Sequence, residues 1–528
     1  MTFISQYLFS TTNILVVFAL CLFVYAGCSS VVVNIKDVDK SKIAKSINIE
    51  PFNQQETLIG QVYAKELEEN KNKSGAMLIT DGTQALLHRT ALTRIAQKSI
   101  YLQSYIYKDE ISSKIFMYEL WKAANRGVKV RMLIDDNGLD SDFSDIITLD
   151  SHPNIEVKIF NPYKNRSKIL RYPEMIYDFN RINHRMHNKI FVVDELALII
   201  GGRNVADNYF DNNTKTNFAD TDAIFLGQVA KEASENFLLY WQYERSIPAY
   251  LLPSKRTMKN YQKGIDKGIA KLKTYSNEHA KYEELLNEFL TRYKNKEFSL
   301  AWGNAKFLAD SPLKVENPDI ERPISNALHE IFLHTTNEIY VAAAYFVPGK
   351  HMTRGLEELK SRGIRLNVLT NSLASTDSLV VYGAWERYRD HLAKAGVAVY
   401  EYQYEGRKKN VGLRSKLNSS AGASLHSKSI VFDERITWIG SFNLDERSRS
   451  LNTESVVVFD NAEFAQKTKR DIQEQMADSW RVWSIDGKTY WKGYNKDGVF
   501  EIHASEPNAN FLLKAASFLS KILPEDQI

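Results

Sequence analysis

The sequence predicts an α/β fold made of two homologous halves, and a repeated motif is the main reason. His187, Lys189, Asp194 and the tetrad 201–204 recur, with identical internal spacing, as His426, Lys428, Asp433 and the tetrad 440–443. The two copies lie 239 residues apart (426 − 187), and so do the pairs Ile100-Tyr101 and Ile339-Tyr340. Predicted strands and helices alternate around both copies, which favours α/β layers. A chain of 528 residues has room for two or three domains.

The elements follow the same order in both halves. Apolar periodicity predicts a helix over 84–97, a strand over 99–107, a helix over 114–126 ending at Gly127, and strands over 128–134 and 155–160. The second half repeats this order with a helix over 324–335, a strand over 338–347, a helix over 354–362 ending at Gly363, and strands over 364–369 and 397–402. Apolar runs over 189–194 and 428–433 predict a buried strand after each motif histidine. Turn signals predict a hairpin over 480–503, and 510–523 is an amphipathic segment, which either docks on the body or lies on a membrane surface.

The N-terminus predicts a membrane attachment. The first 35 residues carry no charged side chain, and the apolar run over 14–26 is short for a spanning helix and typical of a signal peptide. The run ends in Tyr25-Ala26-Gly27-Cys28, which resembles a bacterial lipobox with Cys28 as the lipidated residue; an uncleaved anchor beginning near Phe3 is the alternative. We therefore expect a signal or anchor over 1–28, a tether over 29–75, the first half over 76–250, a helical connector over 251–310, the second half over 311–480, and a C-terminal hairpin and amphipathic helix over 481–528.

The residue types of the motif suit chemistry on a phosphodiester. One neutral imidazole can attack phosphorus, and a second, protonated imidazole can protonate the leaving alcohol. Lysine and asparagine donors can neutralise the non-bridging oxygens. On a strand, His187 and Lys189 point to the same face, as do His426 and Lys428, so each pair can face one phosphate.

The pattern His-x-Lys-x4-Asp-x6-Gly-Ser-x-Asn, present twice, resembles the phospholipase D superfamily. The stretches 185–189, 201–207, 217–222 and 369–377 are similar to the bacterial cardiolipin synthase C-type proteins, in which glycine is expected where Gly202 replaces the motif serine. The resemblance implies two α/β/α sandwich halves related by pseudo-two-fold symmetry around one shared site. It implies a phosphatidyl transferase that makes cardiolipin from phosphatidylglycerol plus a second phospholipid through a phosphohistidine. By analogy His187 is the nucleophile and His426 the acid/base, with the reverse assignment open, and no metal or other cofactor is implied.

The supporting residues are assigned by local alignment. Asn204, Asn443, Ser441 and Gly202 are expected to support the phosphate. An attacking imidazole needs a partner on its other nitrogen, and we expect Glu454 to orient His426 and Asp220 to orient His187, with Asp222 as the fallback. Asp194 and Asp433 complete the catalytic motif, but their places at the ends of buried strands predict pairing with a cation or with backbone.

The net charge, the cysteine positions and the basic stretches indicate which kinds of ligand the chain can bind. The net charge of +4 does not argue for nucleic acid, and both cysteines, Cys21 and Cys28, lie in the N-terminal segment, which leaves no thiolate metal site elsewhere. Basic residues precede both motifs and are interleaved with aromatic and apolar ones before the first, which favours anionic phospholipids and a membrane surface. The basic residues are Lys164, Arg166, Lys168, Arg171, Arg181 and Arg185 in the first stretch, and Arg407, Lys408, Lys409, Arg414 and Lys416 in the second.

The expected location is a bacterial membrane with the site facing the periplasm; whether this is the inner or the outer membrane stays open, as does the need for a membrane helper protein. The alternatives are a hydrolytic phospholipase D, a nuclease-type phosphodiesterase of the same superfamily, and a non-catalytic membrane scaffold.

Overall fold

The computed structural model of the chain describes residues 47–139, 144–164, 168–252, 268, 270, 280–317, 320–404 and 422–521. The predicted signal or anchor with Cys28, residues 253–267, 269 and 271–279 of the predicted connector, and the second basic stretch lie outside these residues. Within the described part of the chain, no helix combines the length and the apolar character needed to cross a membrane.

The first half begins with three short helical segments and then alternates strands and helices. The segments are a 3-10 turn (Gln54–Glu56), α1 (Leu58–Val62) and α2 (Ala64–Glu69), in the region predicted as a tether. The order continues as β1 (Ser74–Ile79), α3 (Gly82–Ile95), β2 (Ser99–Tyr107), α4 (Ile111–Asn125), β3 (Lys129–Leu139), α5 (Ser144–Asp150), β4 (Ile155–Phe160), α6 (Lys168–Tyr177), α7 (Phe179–Asn183), β5 (Ile190–Val193), β6 (Ala197–Gly201), β7 (Thr216–Ala219), β8 (Asp222–Gly227), α8 (Gln228–Gln242) and β9 (Ser246–Pro248).

The second half repeats this order with small changes in length. After α9 (Ala280–Lys294) come β10 (Ala301–Ala309), α10 (Pro323–His334), β11 (Glu338–Ala343), α11 (Gly349–Ser361), β12 (Arg365–Asn371), α12 (Leu379–Lys394), β13 (Ala398–Tyr402), β14 (Gly422–Leu425), β15 (Lys428–Phe432), β16 (Ile436–Gly440), α13 (Glu446–Ser450), β17 (Ser455–Asp460) and α14 (Ala462–Ala477). The chain ends with β18 (Ser479–Ile485), β19 (Lys488–Tyr494), β20 (Phe500–His503) and α15 (Phe511–Ser520).

Short-range signals explain where these elements begin and end, and they confirm the predicted order in both halves. The carboxylate of Asp81 accepts a hydrogen bond from the Gln84 backbone at 2.8 Å and caps the first turn of α3. Gly127 (φ +100°) and Gly363 (φ +83°) end α4 and α11 in the left-handed conformation that glycine adopts without a steric penalty. The predicted C-terminal hairpin is an antiparallel meander, because β20 pairs with β19 after the second turn.

One sheet runs through both halves. Parallel strands β2, β3 and β4 and the antiparallel strands β5, β6 and β8 form the first half of the sheet. The equivalent set is β11, β12 and β13 with β15, β16 and β17. The halves join through β8–β1–β10–β17, in which each neighbour is antiparallel. The chain is therefore an α/β protein of two repeated units on a continuous sheet.

Aromatic packing closes the joint between the halves. Phe225 of β8 meets Phe459 of β17 with ring centroids 5.4 Å apart, and both side chains are fully buried. They belong to one apolar cluster with residues of β1, β6, β16 and α8. Burying such side chains contributes about 1.5–3 kcal/mol each, so this joint fixes the two motifs relative to each other.

Candidate active site

The His187 imidazole is held by a carboxylate of the other half. Its Nδ1 lies 2.9 Å from both carboxylate oxygens of Glu454, and its backbone N–H donates to the Thr453 carbonyl at 2.8 Å. The ring is buried and packs edge-on against Tyr105, with centroids 5.0 Å apart. Nδ1–H therefore donates to Glu454, which leaves the lone pair of Nε2 as the reactive position.

The second motif histidine has the reciprocal arrangement. His426 Nδ1 lies 2.7 Å from Asp220 Oδ2, and its backbone N–H donates to the Ala219 carbonyl at 2.7 Å. Lys428 Nζ also lies 3.1 Å from this Nδ1. The contact with the carboxylate is the shorter one, so Nδ1 carries the proton and donates it to Asp220. A protonated Nδ1 cannot also accept a hydrogen bond from Lys428. The ring packs against both Tyr209 and Phe218, at centroid distances of 5.0 and 4.8 Å.

The predicted assignment of carboxylates to histidines was wrong: each acid serves the histidine of the opposite half. The physical reason is how the halves are joined beside the site. Strand β14, just before His426, pairs in parallel with β7, just before Asp220. On the other side, Met186 forms a parallel bridge with Thr453, directly before Glu454.

The fallback residue, Asp222, is engaged elsewhere. Its carboxylate receives Arg89 at 2.9 Å and lies 3.4 Å from Arg203. It does not contact either motif histidine, so Asp222 belongs to the ion pairs beneath the site.

Both motif lysines lie inside the site beside their histidines. Lys189 Nζ donates to the His187 carbonyl at 2.7 Å, and Lys428 Nζ donates to the His426 carbonyl at 2.5 Å. Both side chains are buried. Burial lowers the pKa of Lys189 to about 7, and Lys428 lowers it further, while Glu454 and Asp220 act in the opposite direction. The Lys428 pKa is also lowered, again chiefly by burial. Two buried lysines this close together favour the binding of an anion, which offsets their mutual repulsion.

The same burial keeps both imidazoles neutral at neutral pH. It lowers the pKa of His187 to about 4; Lys189 and Lys428 add to the effect, and Glu454 opposes it. The His426 pKa is also well below its usual value, through burial and then through Lys428. A neutral imidazole is the nucleophilic form. A bound anion raises the pKa of a neighbouring imidazole, so substrate binding favours protonation of whichever histidine acts as the acid.

The two carboxylates differ in environment. Burial alone would raise the pKa of Glu454, but His187, Lys189 and a hydrogen bond from Ser441 outweigh it and lower that pKa. Glu454 accepts from Ser441 Oγ at 2.5 Å and from Ser448 Oγ at 2.8 Å. The Asp220 pKa is raised by burial, although Lys428 opposes this. The His187–Glu454 pair is thus a neutral imidazole on an ionised, fully hydrogen-bonded carboxylate.

Gly202 and Ser441 stand at equivalent positions, and the acids explain the difference between them. A Cβ atom added at Gly202 would lie 2.2 Å from Asp220 Oδ1, so no serine fits beside this acid without moving it. At position 441 the serine hydroxyl instead donates to Glu454. The departure from the family motif in the first copy therefore makes room for the Asp220 carboxylate.

The two motif asparagines have different roles. Asn204 Oδ1 accepts from the Ile106 backbone at 3.0 Å, and its Nδ2 donates to the Tyr209 hydroxyl at 2.8 Å. It thereby positions the ring that covers His426. The buried Asn443 Oδ1 has no hydrogen-bond partner among the described residues. The unpartnered atom is an acceptor, so Asn443 can receive a hydrogen bond from a ligand hydroxyl, and its expected support of the phosphate stays a prediction.

The motif aspartates lie at the far ends of their strands from the lysines, and each holds a turn. Asp194 accepts from the backbone N–H groups of Gln97, Lys98 and Ser99 at 2.7–3.2 Å. Asp433 does the same for residues 336–338 at 2.8–3.0 Å. Both adopt positive φ, +51° and +50°. The expected pairing with backbone is confirmed, and it corrects the prediction that these two aspartates are catalytic.

The basic residues of the first half are largely paired. Arg181 donates to Glu174 at 2.7 Å and to Asp178 at 2.8 Å, and Arg171 lies 3.7 Å from Asp136. Arg185 donates to the Asn161 carbonyl at 2.9 Å. Because these cations are paired within the protein, they attract anionic lipid less strongly than unpaired cations would.

Sequence reasoning missed several residues of the site. The aromatic rings of Tyr105, Tyr209 and Phe218 pack on the two histidines, and no short-range pattern marks them. Asp377 accepts from the Tyr345 hydroxyl at 3.0 Å and acts electrostatically on His426 and Lys428. It lies in the 369–377 stretch that is similar to the cardiolipin synthase C-type proteins, and that similarity is the sequence signal that points to it. Across the described ranges, no group of three His, Cys, Asp or Glu side chains is arranged to hold a metal ion.

Two imidazoles, each oriented by a carboxylate, and two buried lysines form a site suited to chemistry at a phosphodiester. Such a site defines an enzyme of phosphodiester transfer. The family profile described as "Cardiolipin synthase, PLD-like domain" matches residues 91–241 and 328–476, one stretch in each half. The chain belongs to this phospholipase D-like family.

Similar proteins agree with this placement. The chain is 31% identical to cardiolipin synthase C of Escherichia coli (strain K12) over 470 residues, which is 86% of this chain and 96% of that protein. It is 45% identical over 510 residues to an "Uncharacterized protein" of Helicobacter pylori (strain ATCC 700392 / 26695), covering 96% and 99% of the two chains. The crystal structure of phosphatidylserine synthase from Haemophilus influenzae Rd KW20 covers 88% of this chain and 100% of its own, with a TM-score of 0.55 and 12% identity, which shows a shared fold.

Proposed function

We propose that the chain is a phosphatidyl transferase that makes cardiolipin from phosphatidylglycerol and a second phospholipid. The observation that carries the proposal is the pair of crossed contacts, His187 with Glu454 at 2.9 Å and His426 with Asp220 at 2.7 Å. They give one pocket two oriented imidazoles, which is what two successive transfers at one phosphorus need. The likeness to cardiolipin synthase C supports the choice of phospholipid.

In the first step His187 attacks the phosphorus of the donor lipid. A bond forms between Nε2 and phosphorus, and the bond from phosphorus to the headgroup oxygen breaks. The protonated Nε2 of His426 gives its proton to that oxygen, and the headgroup leaves as a neutral alcohol. Glu454 supports His187 as the nucleophile, because an ionised carboxylate on Nδ1 stabilises the cationic phosphohistidine.

In the second step a hydroxyl of phosphatidylglycerol attacks the same phosphorus. His426, now neutral, takes the hydroxyl proton on Nε2, and the bond from phosphorus to His187 breaks. The product is cardiolipin, and both histidines return to their starting states. With phosphatidylglycerol as donor as well, two molecules yield one cardiolipin and one glycerol, so all atoms balance.

The remaining polar groups stabilise the charge on phosphorus in both steps. Lys189 and Lys428 approach from opposite halves and can donate hydrogen bonds to the non-bridging oxygens. Removing one donor of this kind typically costs about 10²–10³ in turnover. If water took the place of the acceptor hydroxyl, the product would be phosphatidic acid.

Lipid mass spectrometry on vesicles of phosphatidylglycerol and phosphatidylethanolamine tests the proposal. The purified chain should produce cardiolipin, while His187→Ala and His426→Ala should produce none. His351→Ala, at an exposed position on α11, is the matched control and should retain activity. Phosphatidic acid as the sole product would replace transfer by hydrolysis, and no lipid turnover alongside cleavage of nucleic acid would reject a lipid substrate.

A further inference from the structure

The C-terminal helix α15 presents its apolar residues to solvent. Its C-terminal apolar face comprises Phe511, Leu512, Phe518 and Leu519, whose side chains are 82%, 75%, 68% and 64% exposed. A helix that only docks on the protein would bury these residues. The face therefore lacks a partner within the described chain.

Small polar residues hold the opposite side of the helix against the body. Ser520 Oγ donates to the Leu379 carbonyl at 3.1 Å, and Ser517 Oγ lies 3.3 Å from Glu386 Oε2, both on α12. Gly383 allows this close approach, because a Cβ atom there would lie 2.1 Å from Ser520 Oγ. The helix is fixed in an orientation that keeps the apolar face outward.

The end of the helix that carries Ser520 lies near the site. Leu379, which Ser520 contacts, is two residues after Asp377, whose carboxylate acts electrostatically on His426 and Lys428. The last turn of α15 is therefore next to the second-half wall of the pocket.

The first half has an exposed apolar cluster on the segment that leads to His187. The first-half rim cluster comprises Met175, Ile176, Tyr177 and Phe179, with Ile176 being 83% exposed. Helix α7 ends at Asn183, four residues before His187, and Arg447 of the second half donates to the Asn183 carbonyl at 3.0 Å. Exposed apolar side chains thus occur in both halves on segments that adjoin the site.

We propose that the C-terminal apolar face and the first-half rim cluster dock the enzyme on the surface of a phospholipid bilayer, with the pocket between them opening toward the lipid. The inference rests on the proposed function, because an acyl-chain substrate reaches the pocket directly only from a bilayer. One planar surface can cover two separate clusters on the two sides of a pocket. Lys514 on α15, whose Nζ donates to Ser505 Oγ at 3.1 Å, adds a cation near the apolar face.

Position-specific quenching tests the docking without relying on activity or on the N-terminal segment. The full chain with Phe518→Trp is mixed with vesicles of phosphatidylglycerol and phosphatidylcholine that carry brominated acyl chains. The emission added by the new tryptophan should be quenched. Leu239→Trp, at a 59% exposed position on α8, is the matched control, and the emission of its new tryptophan should not be quenched. An unquenched residue 518 in vesicle-bound protein would overturn the proposal, as would a second copy covering the face, seen as concentration-dependent dimerisation that Phe518→Ser abolishes.

A second measurement separates docking from chemistry. The variant Phe511→Ser/Leu512→Ser/Phe518→Ser/Leu519→Ser should turn over vesicle lipid at least about tenfold more slowly at low lipid, since four exposed apolar side chains no longer enter the interface. It should turn over a soluble short-chain phosphodiester as fast as the unmodified chain. Equal loss on both substrates would refute docking by this face. If the unmodified chain acts on neither, the proposed function fails, while the quenching result still decides the docking surface.

Discussion

The crossed pairing predicts that each carboxylate shares the kinetic role of the histidine in the opposite half. Glu454→Gln removes the charge that orients His187, and Asp220→Asn removes the charge that orients His426. If His187 is the nucleophile, Glu454→Gln should slow attack on phosphorus. Asp220→Asn should instead slow protonation of the leaving group and activation of the acceptor.

The size of the effect follows from the contacts that are lost. Glu454 accepts Nδ1–H of His187 at 2.9 Å in a fully buried setting. A hydrogen bond to a charged group contributes about 1.5–3 kcal/mol, which corresponds to a loss of about 10- to 150-fold in rate at 1.36 kcal/mol per factor of ten. The 2.7 Å contact between Asp220 and His426 predicts a loss of the same order.

The assay compares two leaving groups in single-turnover experiments. A natural alcohol needs protonation by His426, whereas p-nitrophenolate leaves without it. Glu454→Gln should therefore lose activity on both substrates, and Asp220→Asn should recover most of its first-step rate on the activated one. Because a histidine and its acid act as a unit, His187→Ala with Glu454→Gln should be little slower than His187→Ala alone.

The opposite grouping would refute the reasoning. Recovery of Glu454→Gln, rather than Asp220→Asn, on the activated substrate would mean either in-half pairing or reversed histidine roles. The double-mutant comparison separates the two, since in-half pairing couples Glu454 to His426. Thermal unfolding of each variant must match the unmodified chain for the comparison to hold.

Three further predictions follow from the site. Gly202→Ser should displace Asp220 and reduce turnover about as much as Asp220→Asn does. Gly355→Ser, at a position where a Cβ atom meets open space, should leave turnover unchanged. Equal turnover in the Gly202→Ser and Gly355→Ser variants would contradict the packing argument. Asp194→Asn should lower the free energy of unfolding in urea by about 1–3 kcal/mol and leave kcat intact, and a large loss of kcat in the folded variant would restore a catalytic role. The Lys189 pKa is about 7 in the empty site, so its ammonium is present below that pH. The affinity for a phosphonate monoester of constant charge should therefore fall as pH rises through 7. An affinity that does not change with pH would show that Lys189 does not bind the anion.

Most of the fold is predictable from the sequence because its signals are local. Apolar periodicity, Gly127, Gly363 and the repeated motif mark each element within a few residues of its position. The helix predicted to begin at residue 84 begins at Gly82, because Asp81 caps its first turn. The resemblance to a known family added the sandwich architecture and the shared site.

The pairing of acids with histidines is not predictable in this way. It depends on β7 meeting β14 and on Met186 meeting Thr453, contacts between residues more than 200 positions apart. The orientation of α15 has a similar origin. Periodicity shows that the helix has an apolar stripe, but the packing of Ser517 and Ser520 against α12 decides that the stripe faces outward.

Direct detection of the covalent intermediate is the most incisive test of the account. The His426→Ala variant lacks the acid/base residue, so a p-nitrophenyl ester of phosphatidic acid should load the nucleophile, and the acceptor should then react slowly. Quenching in base, which preserves phosphohistidine, and peptide mass spectrometry should place the phosphatidyl group on His187. Burst release of p-nitrophenolate without an adduct on His187, or an adduct on another residue, would contradict the central claim.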